Sequence, residues 1–327
     1  MNKNRLQNHI SGSVFTLPVC AFVACLAWWL PVLLPDSLPW AIPTAQVTDR
    51  SIAFVLAALI TYVLIEMNNV NMLIRVRSRM VSSTWLLAAT TIPVVHFYSD
   101  GLAAALCLAI SYYLLFSTYQ RKGCEVSTFH YALFLGLGSI FLPQLLVFLP
   151  FFLWHQTVFL RSTTLRTLCA ALVGCLFPLL LWAAYWYVRE DYAPLLRWFS
   201  VLTSYAPIEA ASYLSLSLQQ IASWGLLTLL AFIGVIHYLN TSYNDRIQVR
   251  MLLYIFVFQF FIVEIYVALQ PQHLTTMLPI LMVTSAPLTA HFFALTRSWF
   301  TNALFVLSLL SFLALGYLNL LFPWMPL

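Results

Sequence analysis

Residues 121–166 read RKGCEVSTFHYALFLGLGSIFLPQLLVFLPFFLWHQTVFLRSTTLR. Arg121 and Lys122 close the stretch on one side, and Arg161 and Arg166 on the other. Glu125 is the one acid between them, near the start. A membrane-spanning helix needs about 20 apolar residues. The run between the basic borders is too long for one such helix and suits two slightly short ones. Proline lacks a backbone donor and disfavours helix at the residue before it, so Leu142-Pro143-Gln144 is the expected turn. The stretch is therefore a helical hairpin with both feet on one face. Lys and Arg are enriched in cytoplasmic loops, which places the feet in the cytoplasm and Gln144 outside.

Working outward, the whole chain fits that frame. Of 327 residues, 62% are hydrophobic and 8% are charged, against about 25% charged in an average soluble domain. A large soluble domain is excluded, and residues 1–327 are expected to form a single integral membrane domain. The formal net charge of +5 reflects the positive-inside bias, and no nucleic-acid partner is expected. The N-terminal MNKNRLQNHI leads into an apolar run from Val14 to Leu34 that reads as an uncleaved first helix. Five of the six cysteines sit in apolar spans and Cys124 in a cytoplasmic loop, so no disulfide is expected.

The expected fold class is all-α: a polytopic bundle of about 11 spans, at 14–34, 51–67, 80–98, 101–120, 128–142, 144–160, 167–188, 216–239, 251–270, 274–295 and 302–321. With the N-terminus inside, twelve of the fifteen basic residues face the cytoplasm: Lys3, Arg5, Arg75, Arg77, Arg79, Arg121, Lys122, Arg161, Arg166, Arg246, Arg250 and Arg297. Arg50, Arg189 and Arg197 fall outside, with Asp36, Asp49, Asp100, Glu190, Asp191 and Glu209. The odd count leaves the C-terminal FPWMPL outside.

Two outer segments are long. Residues 35–50 carry prolines at 35, 39 and 43 and are expected to be extended or turned. In the second, Leu195, Trp198, Phe199, Leu202 and Tyr205 follow helical spacing, while Arg197, Ser200 and Ser204 take other faces. An amphipathic helix over about 193–205 lying in the interface is expected, with Asp191 as its N-cap and Pro207 ending it.

Motifs are few. There is no GxxxxGK[ST], HExxH, CxxC, GxSxG or close His pair, so no cofactor and no metal site is expected. Gly136 and Gly138 read as small residues permitting close helix packing. Glu264 lies in LLYIFVFQFFIVEIYVALQ, about six residues before the helix end and so roughly 9 Å below it. A carboxyl group at that depth is costly and is a functional hypothesis by default; the competing reading is a structural acid bonded to a neighbouring helix. Glu66, beside Asn68, Asn69, Asn71 and Arg75, reads as an ion pair or cap. On the outer side Asp49, Arg50, His96, Tyr98, Asp100, Gln144, Arg189, Glu190, Asp191, Gln270, Gln272 and His273 offer carboxylates for general-base work and cations for phosphate.

FLGLGSIFLPQLLVFLPFFL, the basic turn Arg161–Arg166 and LVGCLFPLLLW together resemble the GT-C class of polytopic glycosyltransferases, over roughly residues 101–180. The whole layout also resembles a family of inner-membrane proteins common in Bacteroidota. The resemblance implies a GT-C-like fold in a bacterial inner membrane, with membrane lipid and a polyprenyl-phosphate carrier as partners. It implies inverting transfer of a lipid-linked sugar at the outer face, with an outer carboxylate as base. Asp49, where the first outer loop meets the second span, is the expected base. Arg50, His96, Tyr98, Asp100, Arg189, Asp191, Arg197 and His273 are the expected substrate contacts, with Arg189 and Arg197 on the carrier phosphate. Two other readings stand beside it: a secondary transporter coupled through Glu264, and a non-catalytic membrane subunit of an envelope assembly.

Overall fold

The computed structural model describes residues 6–33, 46–76, 78–203, 205, 207 and 210–321. Expectations about Lys3, Arg5, residues 34–45 with Asp36, Arg77, Ser204, Glu209 and the C-terminal FPWMPL lie outside these. The described residues form fourteen α-helices and no strand: α1 (Leu6–Gly12), α2 (Thr16–Leu33), α3 (Val47–Asn71), α4 (Met80–Thr91), α5 (Asp100–Phe116), α6 (Glu125–Phe141), α7 (Phe148–Val158), α8 (Leu165–Val188), α9 (Ala193–Thr203), α10 (Ala210–Leu214), α11 (Leu218–Thr241), α12 (Ile247–Leu269), α13 (Leu274–Leu295) and α14 (Trp299–Leu321).

Each of the eleven expected segments holds a helix, but not each holds a full span. Seven helices are long and apolar enough to cross a membrane: α2, α3, α8, α11, α12, α13 and α14. In contrast, α4 and α7 have 12 and 11 residues, and α5 and α6 have 17 each. Proline explains part of the shortfall. Ile92 and Leu142 both turn extended before Pro93 and Pro143, and each proline opens a 3-10 turn, Pro93–Val95 and Pro143–Val147. The expected helices 80–98 and 144–160 are thus each split into an α part and a 3-10 part.

The chain groups into two compact units, Met1–Leu102 with Glu209–Leu327, and Ala103–Ile208. The larger unit is built around α13. Its apolar window is 94% buried, against 11% for α2. Gly234 of α11 sits directly on the Leu288 backbone of α13, where a Cβ would collide with the carbonyl. Thr84 of α4 donates to the Ala286 carbonyl of α13 at 3.1 Å, and the Trp85 indole donates to Thr61 of α3 at 3.1 Å. Short α1 staples one end: Gln7 Nε2 donates to the carbonyls of Phe293 (2.9 Å) and Thr296 (3.1 Å), and Ser78 Oγ donates to the Ser11 carbonyl at 2.6 Å. That end gathers Arg75, Asp245 and the start of α12 and is called the basic end below. At the opposite end Gly101 packs on the Thr276 backbone, and Gly316 of α14 lies near Thr91. The described start and finish of the chain therefore lie at opposite ends of this unit.

In the smaller unit the hairpin forms as the sequence implies. Helix α6 stops at Phe141, and the turn runs through Leu142-Pro143-Gln144. Its feet are tied: Gln120 N–H donates to the Leu160 carbonyl at 2.8 Å. Buried Gln156 accepts from the Tyr131 hydroxyl at 2.6 Å and donates to Thr128 at 2.9 Å. Gly136 of α6 meets the Cys175 carbonyl of α8, and Gly174 of α8 meets the Phe129 carbonyl of α6. These are the backbone-close crossings that small residues permit in membrane helices. Helix α9 docks through Trp198, whose indole donates to the Ser139 carbonyl at 2.6 Å.

Candidate functional site

The expected outer residues divide between the two units. Asp49, Arg50, His96, Tyr98, Asp100 and His273 belong to the larger unit; Arg189, Asp191 and Arg197 belong to the smaller.

Arg50 is the organising side chain of the end opposite the basic one. It stands in the first turn of α3 and is only 2% exposed. Pro31 sits inside α2 and has no N–H to give the Ala27 carbonyl four residues back. Arg50 Nη2 donates to that carbonyl at 2.9 Å, and Nε donates to the carbonyl of Trp28. Among the described residues no acid comes within 4.0 Å of Arg50. Its guanidinium also faces the Phe97 ring at 5.3 Å. The Trp28 ring lies against His96, tilted by 48° with centroids 4.2 Å apart, and His96 Nε2 lies 2.8 Å from the Ala89 carbonyl. Burial pushes the His96 imidazole down to about 3, the Arg50 charge adds to this, and the Ala89 hydrogen bond opposes it. A neutral ring donating from Nε2 fits both facts.

The other residues at this end are accessible. Asp49, Tyr98 and Asp100 are exposed, and the Tyr98 hydroxyl reaches Asp100 Oδ1 at 3.4 Å. The Gly101–Thr276 contact brings this turn against the start of α13, where half-buried His273 stacks with Tyr266 at 6.0 Å. Arg50 and His96 thus form the buried support, and Asp49, Asp100 and Tyr98 the open face.

In the smaller unit Asp191 accepts from the Ala193 N–H at 3.1 Å, as an N-cap should. Arg189 and Arg197 are exposed, Arg189 lying over the Tyr185 ring at 5.3 Å. Glu264 is held by α11: the Trp224 indole donates to Oε2 at 2.8 Å and Thr228 to Oε1 at 2.6 Å. Beside it, Ile221, Trp224, Gly225, Thr228, Leu229 and Phe232 line an open groove of about 410 Å³.

Sequence reasoning missed a second cluster, at the basic end. Asp245 Oδ2 lies 3.0 Å from His291 Nε2, and Oδ1 lies 3.7 Å from Arg75 Nε. Among the described residues Glu66 makes no ion pair, and Arg75 reaches across the fold to Asp245. His237 lies 5.6 Å from His291, ring to ring, although 54 residues separate them. The signal available was the rule applied to Glu264: a titratable group inside an apolar run needs a reason to be there. No group of three or more His, Cys, Asp or Glu among the described residues is arranged to hold a metal ion. No family model, no curated protein and no solved structure matches this chain.

Proposed function

We propose that the chain is a GT-C-like membrane protein that acts on, or assists transfer from, a polyprenyl-phosphate-linked sugar at the outer face of a bacterial inner membrane. In this reading the chain is one integral domain crossing eleven times. The helices α4 and α7 cross together with their 3-10 turns, and α5 and α6 as short spans. The basic end faces the cytoplasm by the positive-inside rule, which puts the N-terminus in and the C-terminus out.

One observation carries the reading. Arg50 is bonded to two carbonyls of α2, which pins the first turn of α3. Its neighbour Asp49 therefore stands exposed on a fixed backbone at the end away from the basic cluster. A general base works best when so held. Asp49 would take the proton of an acceptor hydroxyl as that oxygen bonds to the anomeric carbon; the sugar–phosphate bond breaks and the carrier phosphate leaves with the electron pair. The smaller unit offers its own phosphate ligands in exposed Arg189 and Arg197.

The test is loss of label from a radiolabelled polyprenyl-phosphate hexose incubated with the protein in nanodiscs. Asp49→Asn should lower the rate by about 100-fold or more, the usual worth of a general base, with Asp100→Asn affected less. Equal rates in wild type and Asp49→Asn would sink the assignment. The transporter reading is favoured by one feature, the Glu264 carboxylate at the edge of the α11 groove. Solute uptake that survives Glu264→Gln would remove it.

A further inference from the structure

We propose that Asp245, His291 and His237 form a proton-exchange site at the basic end of the larger unit, with His291 Nδ1 as the atom that takes and returns the proton. The site is separate from the carboxylates at the other end and does not depend on the sugar-transfer reading.

The geometry begins with helix packing. Gly234 of α11 and Leu288 of α13 meet backbone to backbone. Three residues on, about one turn, each helix carries a histidine, His237 and His291. The absence of a side chain at Gly234 is what lets the two rings approach to 5.6 Å. Asp245, between α11 and α12, then meets His291 from a third direction at 3.0 Å.

The chemistry follows from which atoms are used. Asp245 accepts from His291 Nε2–H, which fixes the neutral tautomer and leaves the lone pair on Nδ1. Nδ1 is buried and has no hydrogen-bond partner, whereas Asp245 Oδ1 has the Arg75 guanidinium at 3.7 Å. His291 is 0% exposed and the Asp245 side chain 1%. A purely structural clasp would be expected to satisfy Nδ1, because a buried polar atom left without a hydrogen bond is costly. Protonation of Nδ1 yields an imidazolium held against a carboxylate, a charge-assisted pair. His237 is the route in. It is half-buried, and its Nε2 lies 3.5 Å from the Thr241 hydroxyl near the end of α11.

The groups facing the site come from every packed element. Arg75 approaches after α3; His237 and Tyr238 come from α11, and Arg250 and Tyr254 from α12. The Tyr238 edge lies against His291 at 5.5 Å, and its hydroxyl donates to the Arg250 carbonyl at 2.8 Å. Asp245 is the one acid among them. Arg75 and Arg250 set two positive charges against it.

Nitrogen-15 imidazole spectra of the full chain in nanodiscs test this, recorded from about pH 9 down to about pH 5, the range in which histidine commonly changes charge. The His291 signal, assigned by its loss in His291→Gln, should show one N–H at the alkaline end and two at the acid end. His237→Gln, at a half-buried position, keeps the fold and should slow the exchange of the second N–H by about tenfold or more. Asp245→Asn should abolish that second N–H. A His291 ring that keeps a single N–H throughout in wild type overturns the proposal. So does an exchange rate unchanged by His237→Gln, a readout that holds even if the Asp245 variant fails to fold.

Discussion

The two ends of the larger unit hold positive charge in opposite ways. At one end Arg75 meets a carboxylate, Asp245, which also holds a histidine. At the other, Arg50 meets two backbone carbonyls of α2 and no described acid. Both devices hold a guanidinium in place, but they differ in what they can do next. A carboxylate and an imidazole can exchange protons. Carbonyl dipoles cannot, so they make a clamp. The difference separates side chains that hold the helices from side chains available for chemistry, and it leaves Asp49 and Asp100 as the reactive candidates at the Arg50 end.

The contrast breaks first at Asp245. Asp245→Ala leaves the buried His291 donor without its charged acceptor and the exposed Arg75 without its ion partner, a loss of about 3 kcal/mol, the upper end for an unmade buried hydrogen bond. Denaturant unfolding in detergent should show a loss of that size; a loss no larger than that of a surface substitution would mean the cluster is solvated. Arg50→Met comes next, at about 2–3 kcal/mol, because two carbonyls lose their donor in a buried place. The clamp account adds a rescue. Pro31→Ala restores an N–H to Ala27, so the double variant should regain part of the loss. No rescue would show that Arg50 does not compensate for the proline.

A smaller effect follows from His96. The folded ring is pushed down to about 3, and an unfolded histidine takes its proton near about 6.5. Its contribution to stability is therefore fully present above about pH 6.5 and is lost as pH falls toward about 3. Melting temperatures measured over that range should fall on acidification, and His96→Phe should flatten the slope. An unchanged slope would place the acid sensitivity elsewhere. Smallest of all is Glu264→Gln, where Trp224 can still donate to the amide oxygen. Polar contacts between membrane helices average about 0.6 kcal/mol, and a stability loss well above about 2 kcal/mol would contradict the packing role seen in its two hydrogen bonds.

How much of this was legible in the sequence differs by scale. The hairpin was, because Pro143 and the basic borders act locally. So were all eleven helical segments and the Asp191 cap. Helix lengths were less so: Pro93 and Pro143 divert the chain into 3-10 turns that an apolar run does not announce. The Arg50 clamp was hidden because it depends on Pro31, nineteen residues away in another helix. The Asp245 cluster was hidden for a like reason. Asp245 sits in NDRIQVR and reads as a solvated loop acid, and His237 and His291 share no local spacing. Only the glycine crossing of α11 and α13 brings them together.

The proposed binding of a lipid-carried phosphate sugar is tested most directly by retention of lipid in native mass spectra. The protein in mixed micelles is offered equal amounts of a polyprenyl-phosphate hexose and a diacyl phosphatidic acid. The account predicts selective retention of the prenyl carrier, weakened by at least about tenfold in Arg189→Lys with Arg197→Lys, because lysine lacks the two-pronged phosphate contact of arginine. Equal retention of both lipids, unchanged in the lysine variant, would contradict it and leave these arginines as membrane anchors.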